Sequence, residues 1–335
     1  MTEGSVLGAF QLVRPIARGG MAQVWAAVHL RSSVSVSIKV ITGEKANDAY
    51  FRSAFLNEVR AVAGLDHPGV VRVLDYGIVP EEGVGELEGG CPYLVMEPAS
   101  EGTLHDGRRK ALVWPEIRTI LLSLLGALGH AHARGVIHRD LKPGNVLVCG
   151  AQDPRPGLKL TDFGLARHLE DHDRPGSVEA VRGTLHYMAP EQCRGLWRDH
   201  GPWTDLYALG CIAYQLATGR PPFKGLSGED LMRAHVKTEA PPLPPRRGLP
   251  DGYAEWVGRL LLKSPWRRYS RAADAAWALS SLPEPEDIGP TRWVFPVLAH
   301  SQGLSEDLET DPTPRTPLPE DLESVRIDSS TDQQS

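Results

Sequence analysis

The segment His138-Arg139-Asp140-Leu141-Lys142-Pro143-Gly144-Asn145 carries the densest chemical signal in this chain. Within a few positions it offers a carboxylate, an amine and an amide. The strongly apolar stretch Ile117–Ala133 before it predicts a buried helix, and Val146–Val148 after it predicts a short strand. The sequence therefore predicts a chemically active loop held between two buried elements.

A second polar site follows the predicted strand Leu158–Leu160, at Asp162-Phe163-Gly164. The carboxylate of Asp140 is suited to accept a hydroxyl proton, and Lys142 is suited to neutralise charge on a transferring phosphoryl group. Asn145 and Asp162 offer the hard oxygen ligands that Mg²⁺ prefers. These residues together predict phosphoryl transfer.

These segments resemble the catalytic-loop and Asp-Phe-Gly signatures of the eukaryotic-type protein kinase family. Arg18-Gly19-Gly20-Met21 and the run from Gly183 to Gln192 are most similar to its bacterial serine/threonine kinases. The resemblance covers roughly residues 10–283 and implies ATP as the phosphoryl donor, with Mg²⁺, or Mn²⁺ in its place, as the metal. Protein serine and threonine hydroxyls are the implied acceptors, because Lys142 and the Gly-Thr before the Ala-Pro-Glu motif are what serine/threonine kinases carry.

The pattern of apolar residues predicts an α+β, bilobal protein. Residues 10–41 predict strands, and residues 48–64 have the apolar spacing of a helix. Val70–Tyr76 and Tyr93–Met96 predict two further strands, joined by an exposed loop over Pro80–Gly90. This small β-rich N-lobe, over about 10–97, carries one helix.

The C-lobe, over about 98–283, is predicted to be mostly helical. Its predicted helices after the catalytic loop include Asp205–Thr218, Tyr253–Leu262 and Arg271–Leu282. Residues 284–335 are rich in Pro, Asp, Glu, Ser and Thr, and predict a mostly disordered tail. The apolar patch at 291–298 in this tail is interpreted either as packing back on the C-lobe or as a partner-docking motif.

The resemblance assigns nucleotide contacts in the N-lobe and at the connection between the lobes. Lys39 would hold the α- and β-phosphates, and Glu58 would pair with Lys39. Met96 would lie beside the adenine. The Glu97 carbonyl and the Ala99 N–H would hydrogen-bond the base.

The glycine-rich loop departs from the family pattern of three glycines. Ala17, Gly19, Ala22 and Val24 stand at its nucleotide-contacting positions, so only the central glycine is kept. Glycine lets the backbone approach phosphate closely, and alanine adds one methyl group. The sequence therefore predicts a stiffer loop and a lower affinity for ATP.

Three structural roles in the C-lobe follow from the same resemblance. Thr184 should hydrogen-bond near Asp140 and Lys142. Glu191 should pair with Arg268, and Asp205 should tether the backbone of the catalytic loop. Loss of these contacts would reduce stability or activity without altering substrate contacts.

The resemblance also raises the question of autophosphorylation. Arg139, which directly precedes Asp140, is the family's reader of an activation-loop phosphate. Ser177 is the candidate modification site in that loop, and Thr313 and Thr316 are further candidates in the tail.

Composition narrows the functional classes. The net charge of −6 does not suggest nucleic acid as a main partner, although a mildly acidic surface could favour basic substrates. Four scattered cysteines indicate a reducing compartment. There is no signal-like N-terminus and no membrane-spanning stretch, so the prediction is a cytoplasmic protein without a membrane anchor.

A second hypothesis is a nucleotide-binding pseudokinase that acts as a scaffold. The depleted glycine-rich loop favours it, whereas the presence of every charged landmark favours an active enzyme. A small-molecule phosphotransferase is disfavoured, because such enzymes generally lack the Ala-Pro-Glu docking loop.

Overall fold

A computed structural model describes residues 4–19, 22–42, 49–106, 112–163, 185–244 and 248–286. Within the first helix, the side chains at positions 49–51, 54, 57 and 58 are not described. The predictions for Gly164, Thr184, Ser177, the tail threonines and the 291–298 patch therefore lie outside the described residues.

The N-lobe is built on a six-stranded antiparallel sheet with strand order β1-β2-β3-β4-β6-β5. Its strands are β1 (Val6–Leu7), β2 (Phe10–Arg18), β3 (Ala22–His29), β4 (Ser35–Ile41), β5 (Val73–Ile78) and β6 (Pro92–Met96). Helix α1 (Ala49–Ala63) packs on the sheet by burying Phe55 and Val59 against Leu94 and Met96. The central strand β4 is buried on both faces, since a separate apolar cluster covers its other side.

The C-lobe is organised around two helices that are apolar on nearly every side, α2 (Trp114–His132) and α4 (Pro202–Thr218). Such helices are stable only when surrounded by protein. Around them lie α3 (Pro190–Cys193), α5 (Gly228–Lys237), α6 (Tyr253–Leu260), α7 (Ala272–Ser280) and the hairpin of β7 (Val146–Cys149) with β8 (Gly157–Leu160).

The ends of helix α4 explain its position in the sequence. Pro202 occupies its first turn, and the Thr204 hydroxyl accepts a hydrogen bond from the Gly201 N–H at 3.1 Å. At its C-terminus Gly219 adopts a φ of 77°, a left-handed conformation that favours glycine. Asp205 therefore lies in the first turn, aimed at the neighbouring loop.

The predicted α+β architecture is confirmed, with small shifts of several element ends and the following local differences. Strand β1 was not predicted, because two residues are too few to show a periodic pattern. The strand expected from Val70 begins at Val73, since Val70 instead forms a parallel bridge with Leu160 of the C-lobe. Helix α5 was not predicted; only Leu231, Ala234 and His235 of its residues are buried.

No helix in the described part of the chain is long and apolar enough to cross a membrane. Beyond α7, the Glu284 carboxylate accepts a hydrogen bond from the Trp114 indole N–H at 3.0 Å. The packed C-lobe therefore extends at least to the first residue of the predicted tail.

Candidate active site

The backbone of the catalytic loop is anchored from the buried side by Asp205 of α4. Its two carboxylate oxygens accept hydrogen bonds from the His138 and Arg139 N–H groups, both at 2.8 Å. His132 of α2 contacts the same carboxylate at 2.8 Å. Burial alone would raise the pKa of Asp205, but the hydrogen bonds from His132 and from the His138 N–H lower it overall, so the group is a carboxylate. The tether predicted for Asp205 is present.

His138 joins the catalytic loop to the segment that carries Asp162. The ring is fully buried, and burial lowers its pKa, so it is neutral. Its Nε2 lies 3.0 Å from the Thr161 carbonyl oxygen, and its ring packs on Phe163 at 4.5 Å between centroids. Arg139 has a φ of 61°, a left-handed conformation that is rare for non-glycine residues and is held by these contacts.

Asp140 has two oxygens in different environments. Its Oδ2 accepts hydrogen bonds from Lys142 Nζ at 2.7 Å and Asn145 Nδ2 at 3.0 Å. Its Oδ1 is buried and has no hydrogen-bond partner among the described residues. One oxygen is thus fixed by the loop, and the other is an unsatisfied acceptor.

Lys39 and Asp162 bring the two lobes together. Lys39 Nζ of β4 lies 2.7 Å from Asp162 Oδ1 of the C-lobe. Burial would raise the pKa of Asp162, but Lys39, with a smaller contribution from Lys142, lowers it overall. Asp162 is therefore ionised at neutral pH. Glu58 lies in α1, and its predicted pairing with Lys39 falls on a side chain that is not described.

Asn145 and Asp162 fit a magnesium ion. The Asn145 amide donates to the Asp140 carbonyl oxygen at 2.8 Å and to its carboxylate, which leaves the Asn145 side-chain oxygen as an acceptor. The described residues contain no group of three or more His, Cys, Asp or Glu that could hold a metal. Mg²⁺ in phosphoryl-transfer sites needs only one or two protein oxygens besides phosphate and water, so the residues present are suitable.

The residues of the N-lobe that are predicted to face the nucleotide form a row across three strands. Ala17 is paired with Val24, and Val24 is paired with Lys39, so the three side chains share one face of the sheet. The Gly19 N–H donates to the Ala22 carbonyl oxygen at 2.9 Å and closes the turn of this hairpin. The predicted nucleotide contacts of the N-lobe therefore lie together.

The connection between the lobes begins at the end of β6. Met96 is buried, and its Sδ lies 3.8 Å from the Thr161 hydroxyl, beside Asp162. In the described part of the chain, neither the Glu97 carbonyl nor the Ala99 N–H has a hydrogen-bond partner. Both backbone groups remain able to bind an adenine edge.

The Glu97 side chain has a role that the sequence did not reveal. It is 5% exposed and is bound by Arg155, whose Nε lies 2.9 Å from Glu97 Oε2. The fully buried Lys159 Nζ lies 3.6 Å from Oε1, and the Arg72 N–H donates to Oε1 at 2.7 Å. This buried ionic cluster fixes the backbone on either side of the connection. The only sequence feature that could have indicated this role is the position of the charged Glu97 directly after the apolar strand β6.

The segment that is predicted to dock substrates is held to the C-lobe core by an ion pair. Arg268 donates two hydrogen bonds to the Glu191 carboxylate, at 2.8 and 2.9 Å, and both side chains are buried. The Thr204 hydroxyl adds a third at 2.9 Å. Gln192 next to it donates to the Arg139 carbonyl oxygen at 2.7 Å, which links the segment to the catalytic loop. The predicted pairing of Glu191 with Arg268 is present.

Comparison with known proteins agrees with this geometry. The family model for the protein kinase domain matches residues 10–277. The chain is 37% identical over 277 residues to the serine/threonine-protein kinase PknA of Mycobacterium tuberculosis, covering 82% of this chain and 61% of that protein. It is 36% identical over 274 residues to a probable serine/threonine-protein kinase PknB of Bifidobacterium longum, covering 80% of this chain and 38% of that protein.

Among solved structures, a variant of the Mycobacterium tuberculosis PknI kinase domain superposes with a TM-score of 0.62 at 25% identity. The match covers 84% of this chain and 98% of that one. The chain thus spans about three fifths or less of the length of these two curated relatives, and nearly the whole of a solved kinase domain.

Proposed function

The chain belongs to the protein kinase family, and from this membership we propose that it is a serine/threonine protein kinase that uses ATP. The observation that carries the proposal is the state of Asp140. One of its oxygens is bound by Lys142 and Asn145, and the other has no partner among the described residues. This is the arrangement that a base acting on a protein hydroxyl requires.

The residues around Asp140 divide the work of the proposed transfer. The Asp140 carboxylate orients the acceptor hydroxyl and takes its proton as the hydroxyl oxygen attacks the γ-phosphorus, while the bond from the γ-phosphorus to the β–γ bridging oxygen breaks and ADP leaves. The Lys142 ammonium group, two residues away, stabilises negative charge on the transferring group. Lys39 would hold the α- and β-phosphates, and Glu58 would orient Lys39. When bound, Mg²⁺ supplies positive charge between the phosphates, and Asn145 and Asp162 would hold it.

The proposed orientation of the nucleotide follows from the connection between the lobes and from the sheet of the N-lobe. The Glu97 carbonyl and the Ala99 N–H would bind the adenine edge, with Met96 at its back. Ala17, Gly19, Ala22 and Val24 would cover the phosphates. The ionic cluster of Glu97 supports this orientation, because it fixes the backbone of the connection between the lobes before the adenine binds.

The preference for serine and threonine is proposed from Lys142, from the Gly-Thr at 183–184 and from the names of the relatives. Autophosphorylation is part of the same proposal, with Ser177, Thr313 and Thr316 as candidate sites and 291–298 as a candidate docking segment. A cytoplasmic, reducing location is proposed because all four cysteines are free thiols.

The test is incorporation of radiolabelled phosphate from ATP by the purified chain, with Mg²⁺ and separately with Mn²⁺. We expect labelling of the protein itself or of an added protein, on serine or threonine, that is abolished in Asp140→Ala and Lys39→Ala. Nucleotide binding without incorporation under either metal would favour the pseudokinase scaffold, which the loss of glycine at Ala17 and Ala22 supports.

A further inference from the structure

A cleft of about 580 Å³ lies beside the catalytic loop on the C-lobe. Its size falls within the range of roughly 300–1,000 Å³ that is typical of ligand sites. Its walls come from the catalytic loop, the docking segment, the end of α4 and the loop that follows α4. The polar residues that line it are His105, Lys142, His186, Tyr187, Gln215, Arg220 and Lys224.

The polar groups of this cleft are donors. The Tyr187 hydroxyl donates to Gln215 Oε1, so the Gln215 side chain has its NH₂ group left to donate. Arg220 and Lys224 are exposed cations, and neither forms an ion pair with another described residue. No acidic residue lines the cleft among the described residues.

His186 contributes a neutral ring to the same wall. Burial lowers its pKa, so it is uncharged at neutral pH. The fixed positive charge of the cleft therefore comes from Arg220 and Lys224, because the charge of Lys142 is offset by its ion pair with Asp140 at 2.7 Å. This local charge is opposite in sign to the net charge of −6 for the whole chain.

One end of the cleft lies next to the groups that are proposed to carry out phosphoryl transfer. Lys142, which lines it, is hydrogen-bonded to Asp140 at 2.7 Å. A peptide with its hydroxyl at Asp140 reaches the cleft with the next few residues, because an extended chain spans about 3.3–3.6 Å per residue. The occupant and the acceptor can thus belong to one substrate.

We propose that this cleft selects substrates carrying an anionic side chain, a carboxylate or a phosphorylated residue, within about four positions of the acceptor. The inference rests on the proposed kinase function and specifies its substrate class. It reverses the weak expectation, drawn from net charge alone, that basic substrates would be favoured. A nucleic acid strand is the less suitable occupant, because the net charge of the chain would repel it at longer range.

The test uses one neutral serine peptide and a positional series in which Asp, phosphoserine or Lys replaces each residue from four before to four after the acceptor. We expect kcat/KM for the best Asp or phosphoserine peptide to exceed that for the neutral peptide by about tenfold at low salt. The advantage should shrink as ionic strength rises, since exposed charges are screened within about 10 Å at 0.1 M salt.

The variant Arg220→Gln/Lys224→Gln should reduce the ratio of acidic to neutral kcat/KM by about three- to tenfold, as expected for two exposed charge pairs. Arg220→Glu/Lys224→Glu should move the preference toward the Lys peptides. The matched control Arg31→Gln/Lys237→Gln removes the same charge from exposed positions elsewhere, and the ratio should not change. The Asp and phosphoserine arms show which anion the cleft prefers.

Transfer to the neutral peptide with no preference for acidic neighbours, or with a preference for Lys, would overturn the inference while leaving the kinase function intact. Competition by single-stranded RNA, lost in the Arg220/Lys224 variant and without any acidic-peptide preference, would assign the cleft to nucleic acid instead. Absence of transfer to every peptide and to the chain itself would overturn both proposals.

Discussion

The floor and the roof of the proposed ATP cleft are built in opposite ways. The floor is the catalytic loop, whose His138 is fully buried and whose backbone is tied to the 1% exposed Asp205. The roof is the β2–β3 hairpin, and β2 is exposed at every position from Val13 to Arg18. On the roof, Arg18 pairs with Glu86, and both side chains are about half exposed.

This difference separates two requirements of phosphoryl transfer. The groups that move a proton need fixed positions, and the floor provides them through buried hydrogen bonds that are costly to lose. The groups that cover a nucleotide must admit and release it, and exposed strands with few buried contacts open at low free-energy cost. Substitutions in the floor should therefore have large effects, whereas substitutions in the roof should have small ones.

The largest effect is expected for Asp205→Ala. The change removes the acceptor of two loop N–H groups and the partner of His132, all in a buried setting. We expect a loss of about 3–5 kcal/mol in the free energy of unfolding and a fall in Tm on the order of 10 °C, with loss of activity. Thermal and urea unfolding measure this.

Asp230→Ala is the matched control, because Asp230 is exposed and, among the described residues, pairs only with Arg233, at 3.6 Å on the same helix. It should cost less than about 1 kcal/mol. Equal Tm values for the two variants would contradict the idea that the buried Asp205 carboxylate stabilises the catalytic loop.

Lowering the pH is expected to have an intermediate effect on the free energy of unfolding, through helices α4 and α5. His235 of α5 is fully buried against Tyr207 of α4, and burial lowers its pKa to about 3. Between pH 6.5 and 3 the unfolded chain binds a proton that the folded chain does not, so stability falls as pH falls. From pH 6.5 to 5, His235 should account for roughly 1.5 kcal/mol of lost stability.

His235→Asn cannot take up that proton, so its free energy of unfolding should fall less steeply over the same pH range. Urea unfolding at several pH values compares the two slopes. Parallel slopes for wild type and variant would show that His235 is not the responsible group.

The smallest effect is expected in the roof. Ala17→Gly restores the family's glycine at a position paired with Val24. Because glycine removes a methyl group and frees the backbone, KM for ATP should fall about two- to fivefold with little change in Tm. Ala9→Gly, at an exposed position between β1 and β2, should leave KM unchanged. An increase in KM for Ala17→Gly would mean that the alanine is itself a useful contact.

The sequence was most informative where chemistry is local. Asp140, Lys142 and Asn145 lie within one short loop, so their contacts follow from their spacing. Asp205 and the pair of Glu191 with Arg268 were expected only through the family resemblance, because 66 and 77 positions separate the partners. In both cases the contacts in the structure match the expectation.

The sequence was least informative where packing brings distant charges together. Arg155 reaches Glu97 across 58 positions, from a loop with no periodic pattern. The cationic cleft joins Arg220 and Lys224, after α4, to Lys142 of the catalytic loop. Net charge sums over the whole surface, so it could not reveal a cleft of opposite sign.

The central claim is that Asp140 acts on the acceptor hydroxyl while other groups hold the nucleotide. Its most direct test is Asp140→Asn, with ATP affinity and the single-turnover rate of phosphate transfer measured on the same preparation. The account predicts a transfer rate lower by about 10²–10⁴-fold with ATP affinity within about twofold of wild type. An unchanged transfer rate, or a loss explained by weaker ATP binding alone, would contradict it.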